Sequence, residues 1–229
     1  MHIRKVIFMK KQLVITEDGS HTLFIPELNE HYHSTYGAIN ESMHVYIENG
    51  LLQCSKKKLT IFEIGFGTGL NAYLSYCLAQ IRGYEIHYFS IEKYPLNSRE
   101  YRSLNYASQV YPQFQEVFLL LHEANWDTNV PIANNFNLHK IKGDLLNFDF
   151  SMLPPVDLLY YDAFAPGKQE EMWTDDLIKN VGDAATKGGI VSTYCAKGTV
   201  RRAFEAAGFK MERVPGPKGK KEILRGLKR

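Results

Sequence analysis

Several things are scarce in this chain of 229 residues. Cysteine occurs three times, at Cys54, Cys77 and Cys195, an odd and scattered set without a C-x-x-C pair. That argues against a disulfide framework and a zinc knuckle, and points to a reducing cytoplasm. No apolar run approaches the roughly 20 residues a membrane helix needs. The opening stretch "MHIRKVIFMKKQLVI" breaks its apolar residues with charges, so a signal peptide is not expected. Low-complexity segments, internal repeats and flexible linkers are missing too, which argues against disorder. What remains is 45% apolar, enough to bury the core of one α/β domain with an elaboration.

Net charge is also small, +2, but it is unevenly spread. From Arg201 to Arg229 there are ten Lys or Arg against three Glu, a surplus of seven, so the rest carries a deficit of five. Such asymmetry fits a polyanionic partner near the C-terminal end, or a solvated basic tail.

Residues 11–28 read as two short strands around a turn at Asp18 and Gly19. Residues 34–52 carry Ile39, Met43, Tyr46 and Ile47 at helical spacing, ended by Asn49 and Gly50. After a polar break near residue 58 the pattern becomes strand, turn, helix, strand: "KLTIFEIG", "TGLNAYLSYCLAQIRG", "EIHYFSIEK". Both strands are largely apolar, which predicts a βαβ unit and a parallel sheet. Residues 95–140 look mostly helical and irregular. Further strands are expected in 136–146, 155–164 and 188–195, and two final antiparallel ones flank the Pro/Gly/Lys-rich connection 215–221.

The most informative stretch is "FEIGFGTGLN". Gly65, Gly67 and Gly69 alternate directly after a strand and before a helix, where the backbone can turn tightly and offer N–H groups to a ligand. The spacing is G-x-G-x-G, not the dinucleotide fingerprint G-x-G-x-x-G. Glu63 stands two residues ahead of the first glycine. A carboxylate there repels a pyrophosphate but suits an ammonium, and S-adenosylmethionine has an ammonium, a sulfonium and no phosphate. Glu92 ends the next strand, 29 residues on, placed to accept two ribose hydroxyls. Asp144 ends the third, placed to accept the adenine amino group with Leu145 beside the ring.

Asp162 ends the fourth strand, beside the first, and so faces the reactive end of such a cofactor. Methyl transfer needs chiefly alignment. An amine nucleophile also needs its lone pair, and a carboxylate can orient the nitrogen and take its proton. Phe164 can wall the pocket against the developing cation. The bland alternative is that Asp162 caps the following helix. "HYH" at 31–33 lacks a partnering cluster, so no metal is expected. Trp126 and Trp173 read as packing residues, with lining of the site a second reading for Trp173 in the block after Asp162, and Lys168 reads as either solvated or a phosphate contact.

Taken together, "EIGFGTGLN", "IEKYPL", "YYDAFAPGKQEEMWT", "CAKGTVRRAFEAAGF" and "GPKGKKEIL" resemble the methyltransferase domain of the MnmC family. The likeness extends upstream through "LNEHYHSTYGAINESMHVYIENG" and so covers nearly the whole chain. It implies a class I S-adenosylmethionine-dependent methyltransferase fold, Rossmann-like. Its seven-stranded, mainly parallel sheet would have an antiparallel last strand, preceded by an N-terminal hairpin and helix. The division expected is 1–58 for that extension and 59–229 for the methyltransferase domain.

The resemblance implies N-methylation of 5-aminomethyl-2-thiouridine to 5-methylaminomethyl-2-thiouridine at the tRNA wobble position, and so a tRNA anticodon region as partner. It implies that Asp162 meets the substrate amine. Glu63, Gly65, Phe66, Gly67, Gly69, Asn71, Glu92 and Lys93 would hold the cofactor, with Asp144 and Leu145 at adenine. Phe164, Glu41, Lys218, Lys220 and Lys221 would lie on the substrate side. Two departures stand out. Bifunctional members fuse a flavin-dependent oxidase, for which 229 residues leave no room, so a stand-alone form acting on the bare aminomethyl nucleoside is expected. Lys220 and Lys221 also stand where a more arginine-rich run is common. Two rivals stay open here: an aminopropyl transferase of the spermidine-synthase type, whose G-G-G-D-G run is absent, and a non-catalytic RNA-binding module with a vestigial cofactor fold.

Overall fold

A computed structural model describes residues 10–229. The signal-peptide reading falls largely on residues 1–9, outside the described residues. The chain opens with an antiparallel three-stranded sheet, β1 (Gln12–Ile15), β2 (His21–Ile25) and β3 (Glu30–His31). Helix α1 (Ala38–Ser42) follows and runs on as a π-helical turn, Met43–Glu48. π-turns are rare and recur at functional sites. This one carries Tyr46 into the core.

The body is a second sheet. Its first strand, β4 (Lys58–Ile64), leads through the glycine loop into α2 (Leu70–Arg82) and returns as β5 (Glu85–Glu92). Gly83 closes α2 in the left-handed region and donates its N–H to Ala79 O. Three short helices follow: α3 (Ser98–Arg102), α4 (Tyr106–Gln109) and α5 (Gln115–Glu123). Then come β6 (Thr128–Ala133), β7 (Phe136–Lys142), β8 (Val156–Tyr161), α6 (Asp175–Asp183) and β9 (Ala185–Thr193). Helix α7 (Gly198–Ala206) and strands β10 (Phe209–Pro215) and β11 (Glu222–Lys228) complete the chain.

The order β10-β11-β9-β8-β4-β5-β7-β6 puts β4 between β8 and β5, the point where the winding reverses. Pairs from β9 through β7 are parallel, and β11 runs antiparallel to both its neighbours. This is the expected class I methyltransferase architecture, with one addition. The sheet has eight strands, not seven, because β6 adds antiparallel to β7. It falls in the stretch expected to be helical and irregular. Pro131 within it cannot donate to a ladder, which is tolerated on an edge strand and hides the strand from an apolar pattern.

Two apolar clusters cover the sheet. One packs α2 and α5 with Leu23, Val45 and Tyr46 of the N-terminal extension; the other packs α6 and α7. Helix α2 is buried along Leu70–Ala79 on all sides because it lies between the sheet and that extension. Ser192 Oγ on β9 donates to Val45 O at 2.5 Å and ties the extension to the sheet. Among the described residues, no helix is long and apolar enough to cross a membrane.

Candidate active site

Open α/β sheets bind ligands beyond the carboxyl ends of their strands, at the switch point. A cavity of about 320 Å³ opens there. The loops after β4, β5, β7 and β8 line it, and Tyr32 and His33 of the N-terminal extension cover it.

The glycine loop forms one wall. Gly65, Gly67 and Gly69 all have positive φ, at 87, 48 and 72°. A Cβ on Gly67 would meet the Tyr32 ring at 3.2 Å, and one on Gly69 would strike His122 Nε2 at 2.8 Å. Gly67 N donates to Glu92 Oε2 at 3.0 Å, and Tyr94 N donates to Oε1 at 2.7 Å, so Glu92 is fixed with its free lone pairs toward the cavity. Burial pushes its carboxyl up from the ordinary range. Asp144 lies on the cavity wall with Leu145 beside it. Its side chain accepts from Leu146 N at 3.2 Å and pairs with Lys93 Nζ at 2.7 Å. Lys93 therefore steadies Asp144, which a reading of "IEKYPL" alone could not foresee. Phe66 reaches the cavity with its ring edge-on to His122 and Trp126, centroids 5.2 and 5.9 Å away.

Three expected cavity residues lie elsewhere, Glu63, Glu41 and Gly69, the last turning the chain into α2 against His122 behind the loop. Glu63, expected to meet an ammonium group, is 1% exposed and is not on the cavity wall. It sits a layer behind, accepting from Ser90 Oγ at 2.7 Å, and burial drives its carboxyl well up, toward the neutral form. Strand β4 is buried on both faces, so its sequence does not reveal which side Glu63 takes. Glu41 does not border the cavity either. Its two oxygens accept from Ser34 N at 2.7 Å and Lys220 Nζ at 2.6 Å.

Asp162 stands on the cavity wall just past β8, and both its oxygens are held. Tyr46 O–H donates to Oδ1 at 2.5 Å and Asn71 Nδ2 donates to Oδ2 at 2.9 Å. Asn71, expected at the cofactor, thus also orients the acid. Nothing in the sequence gives Tyr46 this role, because in an apolar helical stripe it looks like any core aromatic. Asp162 is no helix cap: Thr174 caps α6. Its carboxyl is pushed up to about 7, chiefly by burial and with Glu41 adding to the rise, against the two hydrogen bonds and Lys220. The turn that follows is braced from behind. Trp173 Nε1 donates to Phe164 O at 2.7 Å and Tyr194 O–H to Ala163 O at 2.8 Å. This leaves the Phe164 ring free to face the cavity, edge-on to Tyr32 at 5.2 Å.

The "HYH" residues find another use. His33 Nε2 lies 2.7 Å from Thr68 Oγ1 in the glycine loop, and Tyr32 leans over Gly67. Of the three lysines expected on the substrate side, two are already engaged. Lys218 pairs with Glu17 at 2.5 Å and Lys220 with Glu41, so they pin the 215–221 connection to the N-terminal extension and are not free for phosphate. Lys221 is exposed and without a carboxylate partner among the described residues.

The arrangement offers a slot between Glu92 and Asp144 for an adenosine-sized group. Beside it, an oriented carboxylate and an aromatic wall converge on whatever lies past the glycine loop. The cradle fits a ligand that approaches the loop backbone at Gly65 and Gly67, which line the cavity with a positive φ that suits glycine, whereas Gly69 makes room for His122 behind the loop.

Residues 93–229 match the model of a family described as S-adenosyl-L-methionine-dependent methyltransferase. The tRNA 5-methylaminomethyl-2-thiouridine biosynthesis bifunctional protein MnmC of Pseudomonas fluorescens is 33% identical over 211 residues, 85% of this chain and 32% of that protein. The protein of the same name from Leptospira borgpetersenii is 29% identical over 213 residues, again 85% of this chain and 32% of that one. The chain thus spans about a third of the length of the curated relatives it matches. The crystal structure of MNMC2 from Aquifex aeolicus superposes with a TM-score of 0.77 at 23% identity, over 95% of this chain and 70% of that one.

Proposed function

The chain belongs to the S-adenosyl-L-methionine-dependent methyltransferase family, and on that premise we propose that it methylates the exocyclic amine of 5-aminomethyl-2-thiouridine at the wobble position of tRNA. The observation that carries this reading is Asp162, a carboxylate fixed by two donors at the reactive end of the cavity. The names of the relatives supply the nucleoside and the tRNA. Family membership speaks for methyl rather than aminopropyl transfer, and the reaction would take place where tRNA is, in the cytoplasm.

S-adenosyl-L-methionine, when bound, supplies an electrophilic methyl group. Glu92 would accept its ribose hydroxyls, and Asp144 with Leu145 would hold its adenine. Glu63 acts from behind, through the strand end it stiffens, and residues 10–58 supply the roof over the pocket. Asp162 accepts a hydrogen bond from the substrate ammonium and takes its proton, which leaves the nitrogen lone pair free to form the new bond. Phe164 faces the cation that develops at that nitrogen. The direct test is mass spectrometry of nucleosides from tRNA bearing 5-aminomethyl-2-thiouridine, incubated with the protein and S-adenosyl-L-methionine. One added methyl on the wobble nucleoside is expected; unchanged nucleosides would end the proposal.

A pH prediction follows from the same geometry. Protonated Asp162 cannot take a proton, so kcat/KM falls about tenfold per pH unit below about 7. The Tyr46 hydrogen bond stabilises the ionised carboxylate, as does Lys220, while burial and Glu41 oppose ionisation. Tyr46→Phe removes one stabilising donor and so moves the acid limb to higher pH, by about one unit for a hydrogen bond to a charged group. The limb of the substrate amine stays where it is in both proteins. Superimposable pH profiles for wild type and Tyr46→Phe would show that Tyr46 merely packs.

A further inference from the structure

The turn Ala163–Gly167 has two sides. One faces the cavity; the other forms the rim of an open groove of about 360 Å³ lined by Pro166, Tyr194, Lys197, Lys220, Lys221 and Glu222. Its charges do not cancel. Lys220 is neutralised by Glu41 at 2.6 Å, and Glu222, the one acid on its wall, by Arg213 at 2.5 Å. Lys197 and Lys221 are exposed and pair with no carboxylate among the described residues, so two positive charges are left over. In the basic C-terminal end Arg202, Lys210 and Arg229 are also unpaired among the described residues, but none of them lines the groove. Arg201, Arg213, Lys218, Lys220 and Arg225 all lie within 2.7 Å of a carboxylate oxygen. Of the surplus of seven visible in the sequence, folding pairs three cations, Lys218, Lys220 and Lys228, with carboxylates outside 201–229, and it leaves Lys197 and Lys221 together on the groove that shares the 163–167 turn with the cavity.

We propose that this groove is a phosphate subsite. It would grip, through Lys197 and Lys221, the backbone phosphodiester of the nucleotide next to the one whose base enters the cavity. The inference rests on the reading that the substrate is RNA. Ala163 and Phe164 of the turn line the cavity and Ala165 and Pro166 line the groove, so a strand that inserts one base across this turn would set its neighbouring phosphate at the groove. Its floor is prepared rather than mobile: the Tyr194 hydroxyl is tied to Ala163 O, and Lys220 Nζ sits 4.6 Å from the Tyr194 ring centroid. A site formed for free anions or for an acidic peptide has no reason to share a wall with the cavity.

The test compares Lys197→Ala/Lys221→Ala with Lys218→Ala, a lysine already paired with Glu17. Unmodified tRNA transcript binding is measured by fluorescence anisotropy across salt concentrations. Each lost phosphate contact removes a counterion-release step, so the double variant should flatten the slope of log affinity against log salt by about 1.4 to 2 units. Lys218→Ala should change it far less. Affinity for S-adenosyl-L-methionine and the melting temperature should stay at wild-type values, which separates grip from folding. Parallel slopes for the double variant and wild type would overturn the proposal, as would equal flattening by Lys218→Ala, which marks diffuse charge. If an acidic peptide competed with the transcript in wild type but not in the double variant, the site would belong to a protein partner instead. The functional reading fails separately: a flattened slope with no methylation of aminomethyl-uridine tRNA by wild type would keep the groove and discard the nucleoside.

Discussion

Asp162→Asn is expected to bind S-adenosyl-L-methionine as wild type does and to lose at least about 100-fold in turnover on aminomethyl-uridine tRNA, the usual contribution of a positioned proton acceptor. The substitution is gentle in structure. Tyr46 O–H still finds an oxygen. The Asn71 side-chain amide has a buried Oδ1 without a partner among the described residues and can rotate to accept from the new amide N–H. What changes is proton affinity: an amide neither takes the substrate proton nor stabilises an ammonium. Stability should move the other way. The folded state raises this carboxyl to about 7 from an unfolded value of 3.8, so it holds its proton more tightly than the unfolded chain does. The contribution to stability is therefore full below about 4 and lost as pH rises through 7. At about pH 8 the wild type carries a buried charge and the Asn variant does not, so the variant should melt higher there and equally at about pH 4. Calorimetry at the two pH values, with turnover at the higher one, checks both halves. Wild-type turnover would reduce Asp162 to a structural acid.

Much of this site is legible in the sequence, for reasons that are local. The β4–loop–α2–β5 unit declares itself through two apolar runs and three alternating glycines, and the acids at 92, 144 and 162 fall on the cavity because strand ends are easily located. What cannot be read is what depends on distant partners. Tyr46 meets an acid 116 residues away, and nothing in "ESMHVYIENG" distinguishes it from Met43 or Ile47 on the same stripe. Lys218 and Lys220 look free until Glu17 and Glu41, 201 and 179 residues upstream, fold against them. Glu63 fails differently. Its strand is apolar on both faces, so parity is invisible and the acid turns inward, to Ser90 on the neighbouring strand. The distant partners have one consequence. The N-terminal extension, which looks like an appendage in sequence, supplies Tyr32, His33 and Tyr46 around the cavity.

Gly67→Val should weaken S-adenosyl-L-methionine binding by about 100-fold or more, about 2.7 kcal/mol or more. Gly67 has φ 48°, a region that a β-branched side chain adopts only at substantial cost. Its Cβ would meet the Tyr32 ring at 3.2 Å, and the γ-methyls would extend beyond it, at the loop's cavity side. The loop can relieve this only by turning the peptide, and that withdraws the Gly67 N–H from Glu92 Oε2. One substitution thus disturbs both the loop and the acid expected to hold the ribose. The control is Gly83→Val, at the far end of α2. There φ is 67° but a Cβ would find no atom within 4 Å, so the backbone penalty is similar and the cavity is untouched. Both variants should melt several degrees below wild type, and only Gly67→Val should lose the ligand. Equal retention of binding by calorimetry would mean that the alternating glycines serve the turn alone. Equal loss would mean that binding merely tracks global stability. Loss confined to Gly67→Val ties the cofactor to the strand end where β4 and β8 meet.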